Sequence, residues 1–573
     1  MKERITYILA GGEPGVNPAT IDVKASSLKL PSIYAAKEWR ITLSEEELPP
    51  TLKTVLNDIH QLHVRWASLD NADNTPPFSA RLPPGLHVFY TPLKGNRTTT
   101  GICDEIKSAF GPELRCEKPE EAFSIPQVLA GRFRISATYQ YYQQLPLVNA
   151  LQDYIRSNFC SEKSPPQLCI DTIESLQQAS SLDFDFDTIS QSFVVSARWP
   201  PARHSGWERQ RSANDRVEIG ILNREKATED EHISLGGYLT VLGDDDEPKA
   251  TLFSFPSRHH QLPTSGPESL SFTASFKQPT GLHPTLQLTF DKHQLEAPSP
   301  SCVLHAYLNL PSHLFIDRYQ LADKIFLKSQ NLVALHALTG ETDLEVPDWI
   351  VKKWGSTALL ELALPEDDKP PSGDKWTVSI PTHLRYLPPK PSLNASAMYP
   401  AYLSHSHETT VEPGKRTTTI PYPSVFWACN AEAGLKMSTN PFDRTNLGYD
   451  GLFGPKSLFW HVSPKTAGGQ EVARLDVSLD VPVLDRSKTG YVEIGTGLAV
   501  LAGFLWVCWK VVAGAFNKTA TPDGINVQTE VSVTSESTDE GKGEEIAKTQ
   551  TEVKAKAEEK KVDFRDGARR RAV

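Results

Sequence analysis

Apolar positions along this chain repeat with two periods and then run together once. Both periods occur in the first 190 residues. Leu52, Val55, Leu56 and Ile59 recur at helical spacing just after Ser44-Glu45-Glu46-Glu47, a serine-to-glutamate capping pattern. Leu62-His63-Val64-Arg65-Trp66 and Leu86-His87-Val88-Phe89-Tyr90 read as strands. Leu147, Leu151, Tyr154 and Ile155 predict another helix, and so does the run DTIESLQQA after Cys169. Aspartate and phenylalanine then alternate from Asp183 to Asp187, and the character changes near residue 190. From there to about residue 490 the period is mostly two. Val217, Ile219 and Ile221 alternate with other residues, as do Cys302, Leu304, Ala306, Leu308 and Leu310. Trp376, Val378 and Ile380 form a third run; Val472, Leu475, Val477, Leu479 and Val481 alternate in part and suit a last strand. Turn signals lie between such runs: Gly236-Gly237, Gly243 with Asp244 to Asp246, and repeated prolines. The expected fold is therefore an α+β N-terminal region over residues 1–190, followed by a mainly β, sandwich-like domain over residues 191–490.

Residues 494–516 (IGTGLAVLAGFLWVCWKVVAGAF) form the one stretch long enough to cross a bilayer, which takes roughly 20 apolar residues. Its single charge, Lys510, lies within snorkelling distance of an interface, and Trp506, Trp509 and Phe516 share its half of the run. A buried core helix fits less well, because the following residues are too polar to pack over it. Residues 517–573 are rich in Glu, Lys, Thr and Ser, with Phe564 the one aromatic, and read as a disordered tail. The tail carries Arg569-Arg570-Arg571, which reads first as a solvated charge run. It also has the placement of an endoplasmic-reticulum retrieval address, which requires a cytosolic tail.

The net charge of −11 implies no broad basic surface, so nucleic acid is not an expected partner. The 44 prolines suit strands and turns better than long helices. Six of the seven cysteines precede the span: Cys103, Cys116, Cys160, Cys169, Cys302 and Cys429. Their spacing suggests pairs 103–116, 160–169 and 302–429; six cysteines allow 15 pairings, and free buried thiols are the alternative. Cys508 lies within the span. The start, MKERITYILAGGEPGV, is charged but has too short an apolar core for a secretory signal. Arg474, Arg486 and Lys488 before the span, against Lys510 and Lys518, lean weakly away from a lumenal body. Sequons at Asn96 and Asn394 would be glycosylated only in the lumen; a third, at Asn517, abuts the span.

Candidate chemistry is sparse. Asp183-Phe184-Asp185 matches the D-x-D pattern that holds a divalent cation in many glycosyltransferases, and equally matches a strand with unlike faces. Asp244-Asp245-Asp246 suits a solvated turn. His259-His260 and His405-Ser406-His407 have no ligand-partner spacing and read as loop residues. No G-x-S-x-G, Walker loop, G-x-G-x-x-G or H-E-x-x-H occurs. No catalytic residue, cofactor-binding residue or metal ligand is assigned.

Several segments, in order, resemble the PIG-X/PBN family, and the whole chain is similar to its fungal branch. They are Gly281-Leu282-His283-Pro284-Thr285-Leu286; Cys302-Val303-Leu304-His305 through Asn309-Leu310-Pro311-Ser312 to Phe315-Ile316-Asp317-Arg318-Tyr319-Gln320-Leu321; Asp343-Leu344-Glu345-Val346-Pro347; Ile380-Pro381-Thr382-His383-Leu384-Arg385-Tyr386; Val425-Phe426-Trp427-Ala428-Cys429; and Asp480-Val481-Pro482-Val483. Gly15-Val16-Asn17-Pro18-Ala19 and Leu62 to Ser68 resemble the fungal extension. The resemblance implies a single-pass endoplasmic-reticulum protein, with a lumenal body and a cytosolic tail. It implies the stabilising, non-catalytic subunit of glycosylphosphatidylinositol (GPI) mannosyltransferase I, partnered with a multi-spanning PIG-M-type catalytic chain. That enzyme moves the first mannose from dolichol-phosphate-mannose to the GPI precursor. The fungal branch is also linked to maturation of other lumenal proteins, including a protease precursor. A general lumenal chaperone and an independent glycosyltransferase using Asp183 and Asp185 are the alternatives. The expected partner-gripping surface runs from Leu310 and Pro311 to Tyr319, with His383, Arg385 and Tyr386; strand packing is the plainer reading for His305 and His383.

Overall fold

A computed structural model describes residues 2–70, 77–78, 82–93, 101–126, 139–160, 173–204, 208–211, 215–226, 232–262, 269–365, 374–388, 414–431, 442, 448–454, 456–466, 469–483 and 488–517. Thirteen strands make the first part: β1 (Lys2–Leu9), β2 (Asp22–Lys24), β3 (Ser27–Lys29), β4 (Ile33–Ser44), β5 (Ile59–Ala67), β6 (Gly85–Pro92), β7 (Tyr139–Gln143), β8 (Ser181–Asp187), β9 (Ser192–His204), β10 (Glu208–Gln210), β11 (Arg216–Glu225), β12 (His232–Leu242) and β13 (Lys249–Pro256). Ten of them form one sheet in the order β13-β12-β11-β1-β4-β9-β8-β5-β6-β7. The charged start of the chain is thus an inner strand, parallel to β11 and antiparallel to β4. One face of this sheet packs on α1 (Pro50–Leu56), α2 (Ile102–Phe110) and α4 (Asn149–Asn158), with short α3 (Pro119–Ala122) between the last two in sequence. Leu62, Val64, Trp66, Leu86, Val88 and Leu182 come from the strands; Leu52, Val55, Ile106, Phe110 and Leu151 come from the helices.

The remaining strands are β14 (His259–Gln261), β15 (Ser271–Phe276), β16 (Thr285–Asp291), β17 (Val303–Pro311), β18 (Leu314–Phe315), β19 (Leu332–Gly340), β20 (Gly355–Leu362), β21 (Lys375–Pro381), β22 (His383–Leu384), β23 (Lys415–Pro421), β24 (Ser424–Asn430), β25 (Ser457–His461), β26 (Ser463–Pro464) and β27 (Asp476–Pro482). A six-stranded sheet, β14-β25-β24-β17-β20-β19, and a four-stranded sheet, β21-β16-β15-β26, share the largest apolar core. Leu304, Ala306, Leu308 and Leu310 of β17 meet Leu286, Leu288, Val378 and Ile380 of β16 and β21 there. Cys302 and Cys429 are joined across the edge of this core, and Cys103 is joined to Cys116 at the start of α2. Cys160 is also disulfide-bonded, while Cys169 lies outside the described residues. Two further α-helices are α5 (Lys324–Ser329) and α6 (Thr489–Asn517), and strands predominate among the described residues.

Three expectations change on this frame. The boundary placed at residue 190 falls between β8 and β9, which are paired neighbours, and the first sheet continues to Pro256. Period two begins there because long antiparallel strands join a sheet already started by β1 and β4. The capping box does form, with the Ser44 N–H donating to Glu47 Oε2 at 2.9 Å, but it caps a single 3-10 turn. Pro49 holds Leu48 extended and Pro50 takes the first position of α1, so the helix starts only there. Ile59 belongs to β5 rather than to that helix.

Two compact units divide the chain, Met1–Tyr491 and Val492–Val573. Across the second runs α6, whose residues Thr489–Phe516 have a mean hydropathy of 1.9 and are unburied. It is long and apolar enough to cross a membrane, and it begins five residues before the apolar run. Lys510 sits over the rings of Trp506 and Trp509, at 5.9 and 5.1 Å. Asn517 ends the helix; Asn96, Asn394, His405, His407 and the tail from residue 518 lie outside the described residues.

Candidate interaction surface

Asp183 and Asp185 lie on β8, two residues apart and hence on one face, while Phe184 and Phe186 turn to the helix side. Their face is not wet: Asp183 is 2% exposed and Asp185 7%. Arg65, opposite Asp183 in the β5–β8 register, donates Nε to Oδ1 at 2.5 Å and Nη2 to Oδ2 at 3.1 Å. Arg198 Nη2 stands 3.7 Å from the same carboxylate, and His63 Nδ1 bonds Asp185. Burial alone would push the Asp183 carboxyl up; the Arg65 charge, then the His63 bond and Arg198, hold it well below its ordinary range. Burial pulls the His63 imidazole down, but Asp185 and Asp183 outweigh it and raise it above 6.5. These carboxylates are engaged by the cations of their own sheet. The geometry gives them a structural role and argues against the D-x-D metal reading.

The other sequence candidates also resolve into structure. Asp245 accepts from the Val241 N–H and pairs with Lys249, closing a turn. His259 and His260 belong to β14, not to a loop, and point to opposite faces. His259 Nδ1 meets His461 Nε2 at 3.0 Å, while His260 stacks on Trp460. Adjacent strand residues cannot share one ligand.

Three segments converge into an exposed apolar patch. They are residues 314–322, the loop of residues 341–354 between β19 and β20, and residues 383–387. Tyr319 (71% exposed), Trp349 (57%), Ile350 (59%) and Tyr386 (65%) stand on them with Leu344. Isolated exposed apolar residues are ordinary; several large ones on a held loop are less so. Arg385 does the holding. It is buried, donates Nε to Ser312 O at 3.0 Å and Nη1 to Asp343 O and Val346 O at 2.5 and 2.8 Å, and lies 4.2 Å over the Phe315 ring. The Asp348 N–H adds a bond to Tyr386 O at 3.1 Å, fixing the loop against β22.

The loop is also tied to the first sheet. Arg115, beside the Cys103–Cys116 bridge, reaches Asp348 Oδ2 at 3.0 Å and Ser312 Oγ at 2.7 Å, and Ser312 donates to Asp348 Oδ1 at 2.5 Å. Burial raises the Asp348 carboxyl, but Arg115, His313 and Ser312 together bring it below its ordinary value. Trp354 enters the first core, its Nε1–H shared between Ser124 Oγ and Gln140 O at 3.2 Å. The loop's base needs glycine twice. At Gly340 (φ +112°) a Cβ would stand 2.2 Å from Gly355 O, and at Gly355 (φ +148°) 2.1 Å from Leu310 O.

The residues expected on a partner surface divide between exposed and buried positions. Tyr319 and Tyr386 are exposed. Leu310 is fully buried in the main core and Arg385 is buried beneath the loop, so neither can touch a partner; each shapes the surface from behind. Pro311 is half-buried next to Ser312, and half-buried His383 meets His283, Nδ1 to Nδ1, at 3.0 Å. Burial lowers the His383 imidazole, and the His283 charge lowers it further. Trp349 and Ile350 were missed. They follow Pro347-Asp348 directly, and two large apolar residues after such a turn signal were the available clue.

A β-rich body whose chain continues into one apolar helix of membrane-spanning length fits the class of single-pass membrane proteins. The profile of the PIG-X / PBN1 family matches residues 279–512, which include the patch and most of α6. "Protein pbn1" of Emericella nidulans is 42% identical over 536 residues, covering 89% of this chain and 95% of that one. "Protein pbn1" of Aspergillus oryzae is 41% identical (91% and 98% covered), and that of Neurospora crassa 40% (89% and 95%). The chain belongs to the PIG-X / PBN1 family.

Proposed function

We propose that this chain is the non-catalytic, stabilising subunit of GPI mannosyltransferase I. In this reading it is a single-pass protein of the endoplasmic-reticulum membrane, with Met1–Tyr491 in the lumen and the tail in the cytosol. It is needed for transfer of the first mannose from dolichol-phosphate-mannose to the GPI precursor. Its partner is a multi-spanning PIG-M-type catalytic chain. The observation that carries the reading is the patch of Tyr319, Trp349, Ile350 and Tyr386, braced on a rigid loop within the family-matched residues. A lipid-linked donor and acceptor need an enclosure of several spans, which one helix cannot build. Gly495, Gly497 and Gly503 of α6 leave open space at their Cβ positions, where a partner's helices can approach closely. The engaged state of Asp183 and Asp185 weighs against an independent metal-dependent transferase.

Depletion of the protein tests this. The abundance of the catalytic subunit should fall and addition of the first mannose should stop, and both should recover on re-expression. Normal partner levels with full transfer count against the proposal. Misfolding of several unrelated lumenal proteins that persists after mannose transfer is restored would point to a general chaperone instead.

A further inference from the structure

We infer that His305, His336 and Glu361 form a binding site for a divalent transition metal, with zinc the best fit. The three belong to adjacent strands of the six-stranded sheet: β17, β19 and β20. Their ligand atoms lie within 4.8 Å of one another. His305 stands directly opposite Glu361 in the β17–β20 register. His336 joins them through a bulge. The β19–β20 register shifts between Leu335 and Ala337, so His336 is the extra residue. Bulges re-aim side chains in this way. The result is a His Nε2 within 2.6 Å of Glu361 Oε2.

The site has the support that a metal ligand needs. His305 Nδ1 lies 2.9 Å from Val303 O, and a carbonyl oxygen can only accept. Nδ1 therefore carries the proton, and Nε2 presents its lone pair. A second-shell carbonyl fixing the tautomer is the usual arrangement for a ligating histidine. The ring is packed between Phe426, stacked at 5.9 Å, and Phe453, edge-on at 5.2 Å. His305 is buried, whereas the His336 and Glu361 side chains are 34% and 23% exposed. An ion can thus enter from solvent and keep one position for water.

Two imidazoles and one carboxylate, without thiolate, select zinc-like ions over magnesium or calcium, which prefer all-oxygen shells. Tetrahedral ligand distances near 2.0–2.2 Å would require His336 and Glu361 to part by roughly 0.7–1 Å, a small rotation for two partly exposed side chains. A bound ion would cross-link three strands behind the patch-bearing loop, since β19 and β20 flank it. No local motif reveals the set: the spacings from 305 to 336 and from 336 to 361 match no ligand pattern, and only the bulged register brings the residues together.

The test uses the full-length chain in detergent, stripped with chelator and titrated with Zn2+ alone, followed by calorimetry and by thermal unfolding with and without the ion. One zinc per chain should bind, and the melting temperature should rise. Substitution of Co2+ should give visible d–d absorption of a low-symmetry nitrogen–oxygen site. His336→Ala and Glu361→Gln should each weaken binding at least tenfold and abolish the cobalt band, while melting like the wild type in chelator. His283→Ala/His383→Ala, which removes the contacting pair of His283 and half-buried His383, should leave both signals intact. Absence of zinc binding and of a cobalt band in the wild type overturns the inference, as does binding that survives unchanged in His336→Ala and Glu361→Gln.

Discussion

Arg65 and Asp183 illustrate how much one pair can carry. Each is almost fully buried, and against the burial that would raise the Asp183 carboxyl the Arg65 charge is the largest influence keeping it ionised. Removing one partner of a buried pair leaves an uncompensated charge, at a typical cost of about 3–5 kcal/mol. Asp183→Asn should therefore lower the unfolding free energy by that order in urea denaturation of the purified protein, and Arg65→Met in the same chain should recover part of it. A metal-site role for Asp183 predicts instead an unchanged stability with mannose transfer lost. At this scale the sequence was legible in pattern but not in meaning. Alternation of Asp183, Phe184, Asp185 and Phe186 announced a strand with unlike faces. It could not say that the polar face is covered too, because the Arg65 and His63 partners come from β5, 118 and 122 residues away in sequence.

Among the elements, the loop of residues 341–354 and helix α6 carry the function proposed here. Trp354 plugs the loop into the core of the first sheet, so Trp354→Ala should destabilise the body by about 3–5 kcal/mol and also reduce partner capture. By contrast, Gly497→Leu and Gly503→Leu in α6 should leave the melting of the body unchanged while lowering the amount of catalytic subunit that co-purifies. Equal recovery of that subunit with the wild type would exclude helix contacts at these glycines. Regular elements were readable where one period dominates: β17 from Cys302 to Leu310, β21 around Val378, and α6 from its apolar run. The interaction loop was not. It has no period, and its shape depends on Arg385, Asp348 and Arg115 meeting from three separate segments. Hence Arg385 looked like a contact residue when it is a buried brace.

Across the whole molecule, buried histidines set the response to acid. Burial holds His87 down to about 3, and His305 and His313 down to about 4, against 6.5 in the open chain. Between those values and 6.5 the unfolded chain binds protons that the folded chain does not, so stability falls as pH falls. His63 acts oppositely, since its raised value favours the folded state below that point and loses this contribution at higher pH. His204 and His383 are lowered as well, so five lowered imidazoles stand against one raised and fix the net sign. The protein should unfold at lower urea at pH 5 than at pH 7, by on the order of 2 kcal/mol per fully buried neutral histidine. Equal midpoints would contradict that balance. Asp183 and Asp348, both lowered, add their loss only at more acidic pH, below the ordinary 3.8.

The central claim is that a braced apolar surface on the body holds a multi-spanning partner in shape. Its most direct test is quantitative mass spectrometry of proteins captured in mild detergent with the wild type and with Trp349→Ser/Tyr386→Ser, two substitutions at exposed positions. We predict that the wild type captures a multi-spanning mannosyltransferase, and that the double variant melts at the wild-type temperature yet loses most of that partner. Undiminished capture by the double variant, or no such partner with the wild type, would contradict the account.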